Sequence, residues 1–374
     1  MTKIIFVLIA WASSFCAQAQ NESGRGIWTI RQANDWYQSN GWLVGSNFTP
    51  SNAINQLEFW QADTFDSARI DKELGWAESI GMNTMRVFLH DLLYEQDAEG
   101  FITRINLFLK IASRHHIRPL FVLFDSCWDP FPKLGRQRDP QPRVHNSGWV
   151  QSPGANALAD STQYPRLKKY VISIVGKFAY DERVLAWDVW NEPDNTNGGA
   201  YAKEDPKNKV QIINYLLPKV FEWARSVNPS QPLTAGIWVG DDWSSFEHLN
   251  STAKIMISNS DIISFHNYDN IQEFEKRLTS LLYYNRPVIC TEYMARPRNS
   301  TFQNTLPLAK KYNIGVYNWG FVQGKTQTNY PWDSWDKTYT SEPPVWFHDV
   351  FRTDGTPYRQ DEVDLIKKLT SKDK

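Results

Sequence analysis

The stretch Val184-Leu-Ala-Trp-Asp-Val-Trp-Asn-Glu-Pro193 joins a short apolar run to an abrupt polar end. Such a run is typical of a strand that is buried on both faces in a parallel sheet. Pro193 has no backbone N–H to donate to a sheet ladder, so we expect the strand to end there. Asn191 and Glu192 are thereby predicted at the carboxyl end of a parallel strand, where α/β proteins bind ligands.

Seven further runs of this kind lie on either side of it. With Leu185–Trp190, the predicted strands are Leu43–Asn47, Thr84–Leu89, Pro119–Phe124, Leu233–Trp238, Ile262–His266, Val288–Glu292 and Gly315–Trp319. Amphipathic helical patterns occur at Ile70–Ser79, Phe101–Ser113, Leu167–Phe178 and Val210–Ser226, and Pro357–Leu369 is predicted as a final helix. Eight alternating units predict an α/β fold, a (β/α)8 TIM barrel. A doubly wound open sheet is the alternative, which the lack of a glycine-rich phosphate motif after the first strand disfavours.

The first residues have the pattern of a signal peptide. Lys3 precedes the apolar run Ile4–Trp11, and Ala17-Gln18-Ala19 fits a cleavage site. The run is too short to span a bilayer, and no later stretch reaches that length. We therefore predict a signal peptide at residues 1–19, export to the periplasm or the extracellular space, and a single catalytic domain at residues 20–374.

Composition narrows the class of partner. The net charge of −1, from 40 basic and 41 acidic residues, predicts no nucleic-acid partner. The 17 Trp and 16 Tyr residues exceed what one core needs, and flat rings stack on the apolar faces of sugars, so we expect a carbohydrate substrate. Cys127 and Cys290 lack metal-site spacing and are predicted as two free thiols. No cofactor and no metal are predicted.

A second short strand also ends in a glutamate, in Arg286-Pro-Val-Ile-Cys-Thr-Glu292. Glu192 and Glu292 are then expected across the barrel mouth, at the ends of the fourth and seventh strands. Glycosidic cleavage by retaining enzymes needs one protonated and one ionised carboxyl group about 5 to 5.5 Å apart. Arg86, near the end of the second predicted strand, is a natural partner for the ionised carboxylate.

These residues resemble clan A of the glycoside hydrolases, and most closely its cellulase-type family five. The resemblance implies a retaining β-glycoside hydrolase that acts on β-1,4-linked glucans, mannans or xylans, with Glu192 as acid/base and Glu292 as nucleophile. Asn191 matches the residue that binds the sugar 2-hydroxyl, and Arg86 matches the strand-two arginine. His266 and Tyr268 match the strand-six His-x-Tyr motif, whose Tyr contacts the nucleophile. Trp319 matches the tryptophan under the cleaved sugar.

One position departs from the family pattern. Many members have a His at the end of the third strand, where this chain has Asp125. We expect Asp125 to bind a sugar hydroxyl or to hold Arg86. Long segments follow the third and eighth strands, and whether they leave a groove or close a pocket decides between internal and terminal cleavage. Further tryptophans are predicted on loops at the barrel mouth, with two or three as sugar platforms: Trp128, Trp149, Trp243, Trp332 and Trp335.

Two other functions remain open on the residues alone. A catalytically inactive carbohydrate-binding barrel would share the fold and the aromatic residues, although the presence of both glutamates counts against it. A metal-dependent hydrolase would need clustered His and Asp ligands at strand ends, and His266 is the single His predicted there. Substitution of Glu192 and Glu292 distinguishes the first of these from an enzyme.

Overall fold

The computed structural model describes residues 24–371, and the predicted signal peptide lies outside the described residues. Eight strands follow one another along the chain. They are Val44–Asn47 (β1), Thr84–Phe88 (β2), Arg118–Val122 (β3), Ala186–Asp188 (β4), Leu233–Thr234 (β5), Ile263–His266 (β6), Val288–Tyr293 (β7) and Gly315–Asn318 (β8). Each overlaps a predicted strand.

Helices alternate with the strands. They are Ile30–Asn40 (α1), Gln56–Trp60 (α2), Ser67–Ser79 (α3), Asp91–Gln96 (α4), Ala98–Arg114 (α5), Ala155–Ala159 (α6), Tyr164–Lys177 (α7), Lys209–Arg225 (α8), Ser251–Asn259 (α9), Ile271–Leu282 (α10), Phe302–Tyr312 (α11) and Gln360–Thr370 (α12). Short 3-10 turns lie at Ser161–Gln163, Phe246–His248, Arg296–Arg298 and Trp332–Trp335. Among the described residues, none of the helices has both the length and the apolar character needed to cross a bilayer.

The strands form one parallel sheet that curls into a barrel. Their order is β5-β4-β3-β2-β1-β8-β7-β6, so β1 pairs with both β2 and β8. An isolated parallel bridge between Ile237 and Phe265 links the two ends of the sheet. The (β/α)8 prediction is therefore confirmed, and the doubly wound alternative is excluded.

Two strands, β4 and β5, are much shorter than predicted. β4 ends at Asp188 and β5 at Thr234, although both apolar runs continue. Beyond Thr234 the regular ladder with β4 stops, and the backbone N–H of Ile237 bonds instead to the carbonyl oxygen of Ser264 in β6. The chain stays buried there, so the apolar run reflects burial and not continued strand pairing.

The first and last helices of the described residues, α1 and α12, are packed onto the barrel. In α1, Ala33 and Tyr37 belong to the same buried cluster as barrel residues such as Leu120 and Ile289. In α12, Glu362 forms a buried ion pair with Arg296, at 2.6 Å. The long segments after β3 and β8 both leave from the carboxyl ends of the strands, where a barrel of this kind places its site.

Candidate active site

A cavity of about 1040 Å³ opens at the carboxyl ends of the strands. Its lining comes from segments that follow β3, β4, β5, β6, β7 and β8, and within the described residues none comes from the segments after β1 or β2. Eight of the predicted site residues line it, and they are Trp128, Asn191, Glu192, His266, Tyr268, Glu292, Trp319 and Trp332. Trp149 and Trp335, which were predicted on loops at the mouth, line it as well.

Glu192 and Glu292 face each other across this cavity. Glu292 lies in β7, and Glu192 follows β4 by four residues. One carboxylate oxygen from each, together with a ring nitrogen of His266, lie within 4.8 Å of one another. The closest oxygens of the two carboxyl groups therefore lie no more than 4.8 Å apart. This limit is near the roughly 5 to 5.5 Å of retaining enzymes and below the roughly 6.5 to 9.5 Å of inverting ones.

Glu292 is held by a cation and a phenol. The guanidinium of Arg86 donates to its Oε1 at 2.7 Å, and the hydroxyl of Tyr268 donates to its Oε2 at 2.8 Å. Burial raises the pKa of Glu292, while His266 and the charge of Arg86 act in the opposite direction. The two donors also fix the carboxylate in one orientation, because each occupies a different oxygen.

Arg86 is the centre of a buried polar network. Its side chain is fully buried, and it donates to Asp188 at 2.7 and 3.1 Å, to Asn47 at 2.9 Å and to Asn191 at 2.7 Å, besides Glu292. Burial alone lowers the pKa of Arg86, but the charges of Asp188 and Glu292 outweigh this effect and raise it. Arg86 therefore remains charged. Because its side chain is buried and does not line the cavity, it can affect a bound sugar only through the residues that it binds.

Glu192 has a different set of partners. His266 Nδ1 lies 2.8 Å from its Oε1, while Asn195 and the thiol of Cys127 donate to its Oε2 at 2.7 and 3.2 Å. Burial raises the pKa of Glu192, and the bonds from Asn195 and Cys127 partly oppose this effect. Its φ of +41° lies in the left-handed region, a conformation that clusters at functional sites.

His266 is a neutral residue of the site. Burial lowers the pKa of His266 to about 4. At neutral pH its ring therefore carries one proton, and its contact with Glu192 is a hydrogen bond and not an ion pair. As a consequence, every hydrogen-bond partner of Glu192 in the described structure is uncharged.

Asp125 does not do what the sequence predicted. It is buried, it is not part of the cavity lining, and it makes no contact with Arg86. One of its oxygens accepts from Asn191 at 2.9 Å, and the other accepts from the indole of Trp149 at 2.6 Å. Direct sugar binding by Asp125 is therefore excluded in this conformation, because other side chains occupy its oxygens. It fixes the amide of Asn191, whose other end bonds to Arg86.

The tryptophans divide between the cavity and the core. Trp128 and Trp335 stack with ring centroids 5.3 Å apart and an interplanar angle of 14°. Trp332 meets Tyr268 edge to face at 5.1 Å. The expectation that Trp243 lies at the mouth is wrong, because its ring is 1% exposed and packs against Phe265 in the core.

Several residues of the site were not found from the sequence. Cys127, Asn195 and Trp238 line the cavity, and Asp188 binds Arg86, which in turn binds Glu292. A signal existed for Asp188, since a carboxylate inside an apolar strand requires a counter-charge. The cysteine and the asparagine lie in irregular segments, where no periodicity indicates which way a side chain points.

The trio of Glu192, His266 and Glu292 is also the kind of group that binds metals. A cation there would meet the charge of Arg86, which already donates to Glu292 at 2.7 Å, and a hydroxyl proton from Tyr268. The electrostatics of the pair therefore favour a proton shared between carboxyl groups over a divalent cation.

Comparisons with known proteins identify the family. The family model described as Cellulase (glycosyl hydrolase family 5) matches residues 143–325, which include both glutamates. No curated protein sequence matches the chain. The match confirms the resemblance to the cellulase-type family five that the motifs indicated.

Solved structures with the same fold include several family-5 proteins. A GH5_18 structure from Streptomyces cattleya in complex with GlcNAc has a TM-score of 0.58 at 10% identity, covering 88% of this chain and 79% of that one. An endo-1,4-β-mannanase from Rhizomucor miehei has a TM-score of 0.55 at 13% identity, covering 88% and 94%. An exo-β-1,4-mannosidase from Opitutaceae bacterium strain TAV5 has a TM-score of 0.57 at 16% identity, covering 88% of this chain and 59% of that one. At these identities the likeness shows the fold.

The Arg86 network makes a testable prediction about stability. Arg86→Met leaves the carboxylates of Asp188 and Glu292 buried without their counter-charge, which we expect to cost about 3 to 5 kcal/mol of unfolding free energy. Urea denaturation followed by tryptophan fluorescence measures it. Arg31→Met is the control, because Arg31 pairs with Asp35 on an exposed helix face and its loss should change stability little. Equal effects of the two substitutions would contradict the role given to Arg86.

Proposed function

This chain is a glycoside hydrolase, and we propose that it cleaves β-linked oligosaccharides or polysaccharides with retention of anomeric configuration. In this proposal Glu192 is the acid/base and Glu292 is the nucleophile. The observation that carries it is the approach of the two carboxyl groups to within 4.8 Å across one cavity, each with its own set of partners. A catalytically inactive binding barrel has no need of such a pair.

The partners support this division of roles. Glu292 contacts a permanent cation, Arg86, which favours the ionised form that a nucleophile needs. Glu192 contacts neutral groups, and burial raises its pKa, which favours the protonated form that a general acid needs. When Glu292 loses its charge on forming the covalent intermediate, the electrostatic opposition to ionisation of Glu192 also falls, so that it becomes a base for the second step.

The reaction then proceeds in two displacements. The Glu292 carboxylate attacks the anomeric carbon while Glu192 gives its proton to the leaving glycosidic oxygen, and a glycosyl ester on Glu292 results. A water molecule then gives a proton to Glu192 and attacks the same carbon, which releases the sugar and regenerates both carboxyl groups. Tyr268 and Arg86 hold the nucleophile in place through both steps.

The substrate proposed is a β-1,4-linked mannan, glucan or xylan, or an oligosaccharide derived from one. The aromatic rings of Trp128, Trp319 and Trp332 give the cavity the apolar faces on which pyranose rings stack. A mannoside is the first candidate, because mannanases and a mannosidase are among the proteins that share the fold. The signal pattern at residues 1–19 supports export, and we propose that the enzyme meets its substrate outside the cytoplasm.

The stereochemical course is the most direct test of the proposal. Hydrolysis of an aryl β-glycoside, followed by proton NMR from the first seconds, should show the β-anomer of the free sugar before mutarotation produces the α-anomer. First appearance of the α-anomer would mean inversion and would remove Glu292 from its role as nucleophile.

Substitution of the two glutamates should give different patterns. Glu292→Gln should abolish activity on every substrate, because no covalent intermediate forms. Glu192→Ala should lower the kcat for oligosaccharides by about 10²- to 10⁴-fold. It should affect aryl glycosides less, because a phenolate leaving group needs little protonation. Glu99→Gln, on the outer face of α5, is the control and should match the parent enzyme. An equal loss on both substrate types in Glu192→Ala would contradict the acid role.

The thiol of Cys127 should lower the pKa of Glu192, the proposed acid. Its S–H donates to Glu192 and stabilises the ionised carboxylate, so Cys127→Ala should raise the pKa of Glu192. The alkaline limb of the kcat/KM profile, which reports loss of the protonated acid, should then move to higher pH. Cys127→Ser keeps a donor and should restore the parent profile. Cys290→Ala is the control, because that thiol donates to a backbone carbonyl. An unmoved limb in Cys127→Ala would exclude this role.

A further inference from the structure

The segments after β3 and β8 are joined to each other across one side of the barrel mouth. Backbone groups at His145 and Asn146, in the first segment, bond to Ser334 Oγ at 2.9 Å and to the Thr326 carbonyl at 2.8 Å in the second. The indole of Trp335 returns a bond to the carbonyl oxygen of His145, at 2.8 Å. We call this junction the β3–β8 bridge, formed by residues 141–146 and 326–335.

Residues next to the bridge bond to the segment that follows β1. The backbone N–H of Lys325 bonds to the carbonyl oxygen of Ser51 at 2.9 Å, and its side chain forms an ion pair with Glu58 at 2.5 Å. On the other side Asn55 donates to the carbonyl oxygen of Gly148 at 2.8 Å. Three segments of chain therefore form one layer over the ends of β1 and β2, which explains why neither contributes to the cavity lining.

Aromatic rings fill the space beneath the bridge. Trp149 and Trp319 meet edge to face with centroids 5.9 Å apart, and both contact Phe88 at the end of β2, at 5.2 and 5.8 Å. Behind these rings only about 20 Å³ of space remains. That volume holds about one water molecule and no sugar ring. The cavity therefore ends at Trp149 and Trp319 on this side.

The opposite side of the cavity is open. Its lining there includes Trp238 after β5, Asp269 after β6 and the residues Gly198–Tyr201 after β4, and Gly198, Gly199 and Ala200 are exposed. The acid/base must reach the leaving oxygen, and Glu192 follows β4 beside this opening. In the proposed reaction the leaving group therefore points to this open side, and the sugar attacked by Glu292 lies between Glu292, Trp319 and the closed side formed by Trp149 and Trp319.

We propose that the site is a pocket for the terminal sugar of a chain, so that the enzyme removes single sugars from the non-reducing end of β-linked oligosaccharides. This proposal rests on the proposed function. It adds that the enzyme recognises a single sugar and that this sugar is the non-reducing end of the substrate. A polymer threaded across the barrel would have to pass through Trp149, Trp319 and the β3–β8 bridge.

Product analysis on the full mature chain tests the proposal. The probes are β-1,4-linked manno-, gluco- and xylo-oligosaccharides of two to six sugars, labelled at the reducing end, with an aryl β-glycoside assayed in parallel. We expect the earliest products to be one free monosaccharide and a labelled chain shorter by one sugar. Labelled fragments shorter by two or more sugars at the first time points would overturn the pocket while the aryl glycoside still supported a hydrolase. No cleavage of any probe would defeat the proposed function itself.

A blocked substrate adds a second readout. An oligosaccharide with a 4-O-methyl group on its non-reducing terminal sugar should resist cleavage, because the closed side leaves no room beyond that oxygen. Cleavage at the same rate as the unmethylated oligosaccharide would contradict the proposed pocket.

Two variants test whether Trp149 closes this side of the cavity. Trp149→Ala joins the small space behind the ring to the main cavity, and we expect disaccharide to appear among the earliest products. Trp28→Ala is the control, because it removes a ring that packs against Trp36 outside the cavity lining, and it should still release monosaccharide alone. If Trp149→Ala is folded by circular dichroism and cleaves the aryl glycoside, yet releases only monosaccharide, then Trp149 is not the barrier and the proposal fails.

Discussion

The buried guanidinium of Arg86 is the interaction on which the rest of the site depends. Three acceptors from the ends of three different strands, Asn47 of β1, Asp188 of β4 and Glu292 of β7, converge on one fully buried side chain. A desolvated charge is tolerated only when it is paired and hydrogen-bonded, so these acceptors are constrained as much as the cation is. The barrel thus places β2, β4 and the nucleophile strand β7 in a fixed relation at the mouth. The catalytic geometry follows from this constraint, and not from the loops alone.

The same network separates the two glutamates electrostatically. Both are buried within one cavity, and both carboxyl groups have a raised pKa for that reason. The difference between them lies in the partners, since Glu292 receives the charge of Arg86 while Glu192 receives bonds from His266, Asn195 and Cys127. A neutral His266 is essential to this arrangement, because a protonated ring 2.8 Å from Glu192 would favour its ionised form. Burial of the His266 imidazole, which keeps that ring neutral, therefore helps to keep Glu192 protonated.

The fold was predictable because buried parallel strands leave a simple record in the sequence. Eight apolar runs separated by amphipathic helices predict the barrel, and a glutamate that ends a strand is already placed at the mouth. The predictions fail where a side chain's direction depends on distant partners. Trp243 lies in the segment after β5, but its side chain turns inward onto Phe265. Asp125 occupies the position expected to bind a sugar hydroxyl, yet its oxygens are taken by Asn191 and Trp149.

The β3–β8 bridge shows a further limit of the same kind. Each of its bonds involves a backbone group, and one joins two backbone groups almost two hundred residues apart, the N–H of Asn146 and the carbonyl of Thr326. Backbone groups are present in every sequence. Length and aromatic content mark both segments as functional loops, but no pattern states that they meet. Their meeting nevertheless decides the shape of the site. The barrel supplies the chemistry through strand ends that the sequence reveals, and the joined loops limit which part of a substrate reaches it.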